Sequence, residues 1–390
     1  MRTLALLAAF LLAFTASTRA GDLVVHEWGT FTSLQDETGR AIGGLNVNDE
    51  PLPKFVHHIK ERAASLDSLS LTKSLPPGIM DITMRLETPV LYFYPTPEQM
   101  SQKVDVSATF HGGLLNEFYP AAETIPPTIE MAPRIDGKTV GKLSWKAITF
   151  GANDQFMPTT DSHVWLAPRL AKSATTVTVG REAEHYLFYR GVGHLDAPLK
   201  VTRDSSGAIT IANRSDIAMT GVPMWLAEFR ANGSAAFRRI DDISKPQPGS
   251  LQDVEFQTNG VARLRADMHE ALVSAGLFPD EADAMLETWK LSYFKSGGQR
   301  LFFLVPRAWT DKVLPLSIDK PAQLTRVMMG RIELITPAQR QGLTQILAAY
   351  KSRVAVDLTK QYAALGRFSQ AIIQDAQTQD AKVEKLSAGK

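Results

Sequence analysis

Two turn dipeptides, Ser206-Gly207 and Asn232-Gly233, each sit inside a run of alternating apolar and polar residues, LKVTRDSSGAITIAN (199–213) and MWLAEFRANGSAAFRRI (224–240). A period of two puts successive side chains on opposite faces of an extended chain, and a small flexible pair in the middle reverses its direction. Such runs are antiparallel hairpins and commit this part of the chain to sheet. Asp136-Gly137 in PRIDGKTV predicts another hairpin, because both central residues of such a turn need positive φ. TPVLYFYP, TTVTVG and EHYLFYRG carry the β-branched and aromatic residues that strands favour. Residues 21–258 therefore read as a β-rich domain, an antiparallel β-sandwich or related sheet pair. Pro-rich surface loops at NDEPLPKF, SLPPGIM and TIPPTIEMAP interrupt it.

The period changes after DISKPQPGSLQDVEFQTNG (242–260). Leu264, Met268, Ala271, Leu272 and Ala275 recur at helical spacing before Gly276, and Ala282, Met285, Leu286, Trp289 and Tyr293 form a second stripe. QRLFFLV (299–305) and RVMMGRIELI (326–335) read as short strands. Thr336, Pro337 and Gln339 make a helix start. Leu343, Leu347, Tyr350, Val354, Leu358, Tyr362, Leu365, Phe368 and Ile372 then predict one long amphipathic helix, bent at Gly366. The expected fold is α+β: a sandwich-like N-terminal region, a helix-rich C-terminal region over 259–374, and a flexible polar tail over 375–390.

The first residues, MRTLALLAAFLLAFTASTRA, have the form of a secretory signal peptide. Arg2 supplies the positive start, Leu4 to Phe14 is too short to span a bilayer, which takes about 20 residues, and Thr18 and Ala20 suit a cleavage site after Ala20. The expectation is export to the periplasm or beyond, with no transmembrane span once residues 1–20 are removed. The formal net charge of +1 argues against a nucleic-acid or general polyanion binder. The chain has no cysteine, so disulfides, thiolate metal sites and thiol nucleophiles are excluded.

The segments HEWGTFTS, HGGLLNEFYP, FYRGVGHLDAPL, LVPRAWTDKVLPL and RVMMGRIELITP together resemble a family of large exported bacterial proteins with no assigned activity. The resemblance spans most of the chain after residue 20. It implies secretion and a shared fold, and it brings no catalytic residue with it.

Standard catalytic motifs are missing. There is no G-x-S-x-G elbow, DGKTVGK has Ala132 where a phosphate loop needs its first glycine, and HEALV at His269 ends in Val273 rather than a second histidine. Any transition metal, zinc for example, would rest on histidine and carboxylates. In TFHGGLLNEFYP two glycines after His111 allow close approach of a ligand, with Glu117 and Tyr119 following, or else form a bulge with a buried tyrosine. On an extended chain Asp161 would share a face with His163, and Asp196 with His194, an arrangement that orients an imidazole. His26 shares a strand face with Val24 and Trp28, while Glu27 faces the other way, so His26 reads as a pocket-wall or structural residue. His185 and Tyr189 share a face of EHYLFYR, and PKFVHHIKER, with His57 and His58, reads as helical.

The leading expectation is an exported metal-dependent enzyme, a hydrolase of an envelope or extracellular substrate. His111, His163 and His194 are its metal ligands, Asp161 and Asp196 orient them, and Glu117 is the general base. His26, Trp28, Tyr119 and His185 line the pocket. A bound divalent metal would bring the pKa of its water to about 7. The alternative is a non-catalytic exported binding or envelope-scaffold protein that recognises glycan or protein.

Overall fold

The computed structural model describes residues 21–47, 51–61, 78–129, 133–252, 255–294, 296–352 and 357–388. The proposed signal peptide, with Arg2, Thr18 and Ala20, lies outside the described residues, as do Ala132 and Val354.

Among the described residues one 15-stranded mixed sheet dominates. Its main members are β1 (Leu23–Gln35), β2 (Met84–Tyr94), β3 (Val104–His111), β4 (Gly113–Tyr119), β5 (Val140–Phe150), β6 (Leu187–Gly193), β7 (Met224–Phe229), β8 (Ala235–Arg239), β9 (Gly298–Val305) and β10 (Ala322–Leu334). From β5 the order across the sheet is β5, β4, β6, β2, β1, β10, β9, β7, β8. The helices are α1 (Gly260–Ser274), α2 (Pro279–Thr288), α3 (Pro337–Ser352), α4 (Thr359–Leu365) and α5 (Ser369–Ala388), besides short ones at His163–Leu166 and Arg307–Val313.

This topology corrects the expected antiparallel sandwich followed by a helix-rich C-terminal region. β9 and β10 come from the C-terminal part of the chain, yet they sit in the middle of the sheet. β10 lies parallel to β1 along its whole length, from Leu23↔Ala322 to Gln35↔Leu334. β1 pairs antiparallel with β2 on its other edge. A strand paired on both edges and covered on both faces shows little alternation, and Val24 is the one residue of β1 that is not fully buried.

Side chains of β1 feed two apolar clusters. Val25 and Phe31 join Phe93, Trp145 and Phe303 in one, and Trp28 joins Tyr92, Trp225, Phe302 and Met329 in the other. α1 and α2 close the second cluster with Leu264, Met268, Met285 and Leu286. The C-terminal helices close the first with Leu343, Ile346, Phe368 and Ile372. No helix among the described residues is long and apolar enough to cross a membrane.

The hairpins 199–213 and 224–239 form as the alternation predicts. Other local readings are corrected. Asp136-Gly137 makes a turn leading into β5 rather than a hairpin, its Asp136 carboxylate accepting from the Lys138 amide at 2.9 Å. His57–His58 is extended and pairs with β4. The single long C-terminal helix is instead a helical hairpin followed by α5. Gln361 Nε2 reaches Gln345 Oε1 at 3.0 Å and Gln339 Nε2 reaches the Leu365 carbonyl at 3.1 Å, so α4 folds back along α3. Asp357 accepts from the Thr359 amide at 3.0 Å and starts α4 as a new helix. Gly366, at φ +73, turns the chain into α5, which extends to Ala388.

Candidate functional site

Of the two expectations for the glycines after His111, ligand space or a bulge with a buried tyrosine, the structure has the protein itself fill the space and Tyr119 buried. A Cβ on Gly112 would lie 2.6 Å from Leu195 Cδ2, and one on Gly113 would lie 2.2 Å from Phe110 Cε1. They allow β3 and β4 to pack tightly against β6 and Leu195, and His111 is left exposed at the end of β3.

The other two proposed ligands have backbone partners. His163 does not lie on an extended chain; it opens the helix His163–Leu166, and its Nε2 donates to the Glu287 carbonyl at 2.9 Å. This sets the imidazole against α2, while Asp161 is exposed. His194 donates from Nδ1 to the Asp81 carbonyl at 2.6 Å, because a carbonyl can only accept. Asp196 pairs with Arg214 at 3.2 Å. A shared ion needs each donor within about 2 Å, and among the described residues no three of His, Asp and Glu are grouped to hold one. Glu117 lies on β4, register partner of Arg190 on one side and His58 on the other. Its Oε2 is buried without a hydrogen-bond partner among the described residues.

The proposed pocket-wall residues do not share one wall. His26 is 4% exposed, and its Nδ1 meets Glu281 Oε2 at 2.8 Å. Glu281 also accepts from Tyr94 Oη and from the Phe278 amide, each at 2.7 Å. These bonds fasten the start of α2 to β1 and β2. Trp28 is wholly buried in the cluster beneath α1 and α2. Tyr119 packs edge-on to Phe55 and Trp165, at centroid distances of 5.2 and 5.6 Å, and burial raises its phenol pKa. His185 is half-buried beside Glu184, whose carboxylate takes the His185 amide at 2.9 Å.

Sequence reasoning missed two buried charge networks. Glu27, read as facing away from His26, accepts from Tyr189 Oη and from Arg326 Nε, both at 2.5 Å. Arg326 also reaches Asp311 at 2.8 Å. In the second network Glu333 receives Nε of Arg300 and Nε of Arg331, each at 2.7 Å. Burial would raise the Glu333 carboxyl, but the two guanidiniums outweigh it and hold it down at about 2. Arg331 lies 4.0 Å over the Tyr293 ring. The cavity beside Arg300, Glu333 and Arg367 is about 10 Å³, room for one water. This network holds the fold and has no room for a substrate.

Space for a ligand lies elsewhere, in a half-open groove of about 500 Å³ lined by Arg40, Thr83, His194, Asp196, Lys200 and Arg214 among others. That is within the ~300–1,000 Å³ common for ligand sites. The turn at residues 36–40 is built by Asp36, whose Oδ1 accepts from the Thr38 and Arg40 amides at 2.9 and 3.1 Å. Gly39, at φ +75, lets the Lys200 stem cross the turn; a Cβ there would stand 2.5 Å from Lys200 Cγ. The Asp375 hydrogen bond, together with the charges of Asp375 and Asp36, raises the Arg40 pKa against burial. With Nδ1 carrying a proton, neutral His194 keeps its lone pair on Nε2. Arg40 is already engaged by Asp36 and Asp375, and Arg214 by Asp196, so Lys200 and the His194 imidazole are the groove's basic groups not committed to a carboxylate among the described residues. The arrangement suits binding of an anionic group. Of the proposed site residues it gathers only His194 and Asp196. Arg40, Lys200 and Arg214 carried no local motif that singles them out. No protein-family model matches the chain, and a search of curated proteins finds no match.

Proposed function

We propose that this chain is an exported, non-catalytic binding protein that takes an anionic ligand, such as the acidic unit of an envelope or extracellular glycan, in the groove at Arg40, His194, Lys200 and Arg214. The observation that carries this reading is that Lys200, Arg214, Arg40 and the His194 imidazole line one groove of ligand size. Export rests on the character of residues 1–20. The hydrolase reading needs a ligand set around one ion, and among the described residues no three of His, Asp and Glu are grouped to hold one. Isothermal titration with a galacturonic-acid tetramer tests the proposal, with inorganic phosphate as a second probe. Binding of either should weaken with salt, since charges in an open groove are screened over about 10 Å at 0.1 M. Lys200→Ala and Arg214→Ala should each weaken it while the melting curve stays in place. Saturable binding untouched by both variants, or no anion binding at all, overturns the reading. Zinc bound stoichiometrically and lost in His111→Ala, His163→Ala and His194→Ala would restore the hydrolase.

A further inference from the structure

The helical hairpin leaves a second groove of about 500 Å³, with Tyr350, Tyr362, Ser369, Gln370, Gln374 and Gln377 around it. Tyr350 and Tyr362 belong to the apolar stripe of the expected long helix, and a stripe residue is normally buried. Here α4 folds back on α3, and the two rings meet through their hydroxyls while remaining 45% and 36% exposed. Along α5, Gln370, Gln374 and Gln377 recur at steps of four and three, so their amides lie along one face of the helix. Among the described residues none that lines the groove is charged, and Lys351 of α3 and Asp380 of α5 neutralise one another at 2.9 Å.

We infer that this groove is a binding site for a neutral oligosaccharide, separate from the anion groove and independent of that reading. Sugar rings offer apolar C–H faces that stack on exposed tyrosines, and hydroxyl pairs that match carboxamides and a serine hydroxyl. Other occupants fit the lining less well. An apolar partner helix would cover three glutamines and leave their amides unpaired, which opposes its binding. A nucleic acid or acidic glycan would find no cation among the described lining residues. The volume suits a few sugar rings, within the ~300–1,000 Å³ usual for ligand sites.

The test is titration calorimetry and saturation-transfer NMR on the full chain, with cellotetraose and chitotetraose as neutral probes and a galacturonic-acid tetramer as contrast. At least one neutral tetramer should bind with Kd of about 1 mM or tighter. Tyr350→Ala and Tyr362→Ala should each weaken it by about two- to tenfold, the scale of one aromatic contact. Tyr362→Phe, which keeps the stacking ring, should retain most of the affinity. Gln370→Ala, at an exposed position, should weaken binding without moving the melting curve. Lys200→Ala, in the other groove, should leave neutral binding unchanged. Absence of saturable neutral binding, or binding indifferent to both tyrosine-to-alanine variants and to Gln370→Ala, overturns the inference.

Discussion

Arg40 meets Asp375 through both ends of its guanidinium, Nη1 to Oδ1 at 2.9 Å and Nη2 to Oδ2 at 2.6 Å. The turn that follows β1 is thereby pinned to α5, and the anion groove acquires one rigid wall. The Arg40 side chain is 44% exposed, so the pair should contribute about 1 kcal/mol or less. A double-mutant cycle on Arg40→Ala and Asp375→Ala should return a coupling of that size that shrinks with added salt. A coupling of zero at low salt would mean that the pair does not hold the wall.

Glu333 should matter much more. Removing its charge leaves Arg300 and Arg331 buried without their counter-ion, so Glu333→Gln should cost about 3–5 kcal/mol. Urea melts at neutral pH measure this directly, and a loss under about 1 kcal/mol would deny the network its role.

Acid should act through the same carboxylate. Its pKa falls from an ordinary 4.5 to about 2 on folding, so its contribution is complete above pH 4.5 and is lost as pH drops through that interval toward 2. The contribution is on the order of 3 kcal/mol. Denaturation midpoints recorded down this range should show a slope in the wild type that Glu333→Gln lacks; equal slopes would contradict the assignment.

His26 should behave as a fastener. His26→Ala removes a buried partner of Glu281 and should cost about 1–3 kcal/mol with no change in ligand affinity at either groove. Loss of binding without loss of stability would point to a functional rather than structural histidine.

Along α3 the cost of truncation should track burial. Ile346 is wholly buried, whereas Leu347 is half-buried at the margin of the same cluster. Ile346→Ala should cost about 2–5 kcal/mol and Leu347→Ala less. Equal melting temperatures for the two variants would show that the packing is not as described.

Much of the local structure was determined by the sequence alone. The alternation around Ser206-Gly207 and Asn232-Gly233, the helical spacing of Leu264, Met268 and Leu272, and the apolar runs of β9 and β10 each specify an element, because periodicity is a property of a few consecutive residues. Partnership between elements is not such a property. Nothing near Val24 announces that β1 will lie beside β10, or that Glu27 will find Arg326, 299 residues away. Only in the folded chain does that guanidinium make burial of Glu27 tolerable. The same holds for the sites. Gly112 and Gly113 leave space only until Leu195 and Phe110 fill it. Arg40, Lys200 and Arg214 are ordinary surface cations until the turn, β6's exit and the hairpin bring them round one groove. The stripe carrying Tyr350 and Tyr362 specified helix. Whether those rings would be buried or exposed was decided by how α4 folds back on α3, a pairing that only the tertiary structure shows.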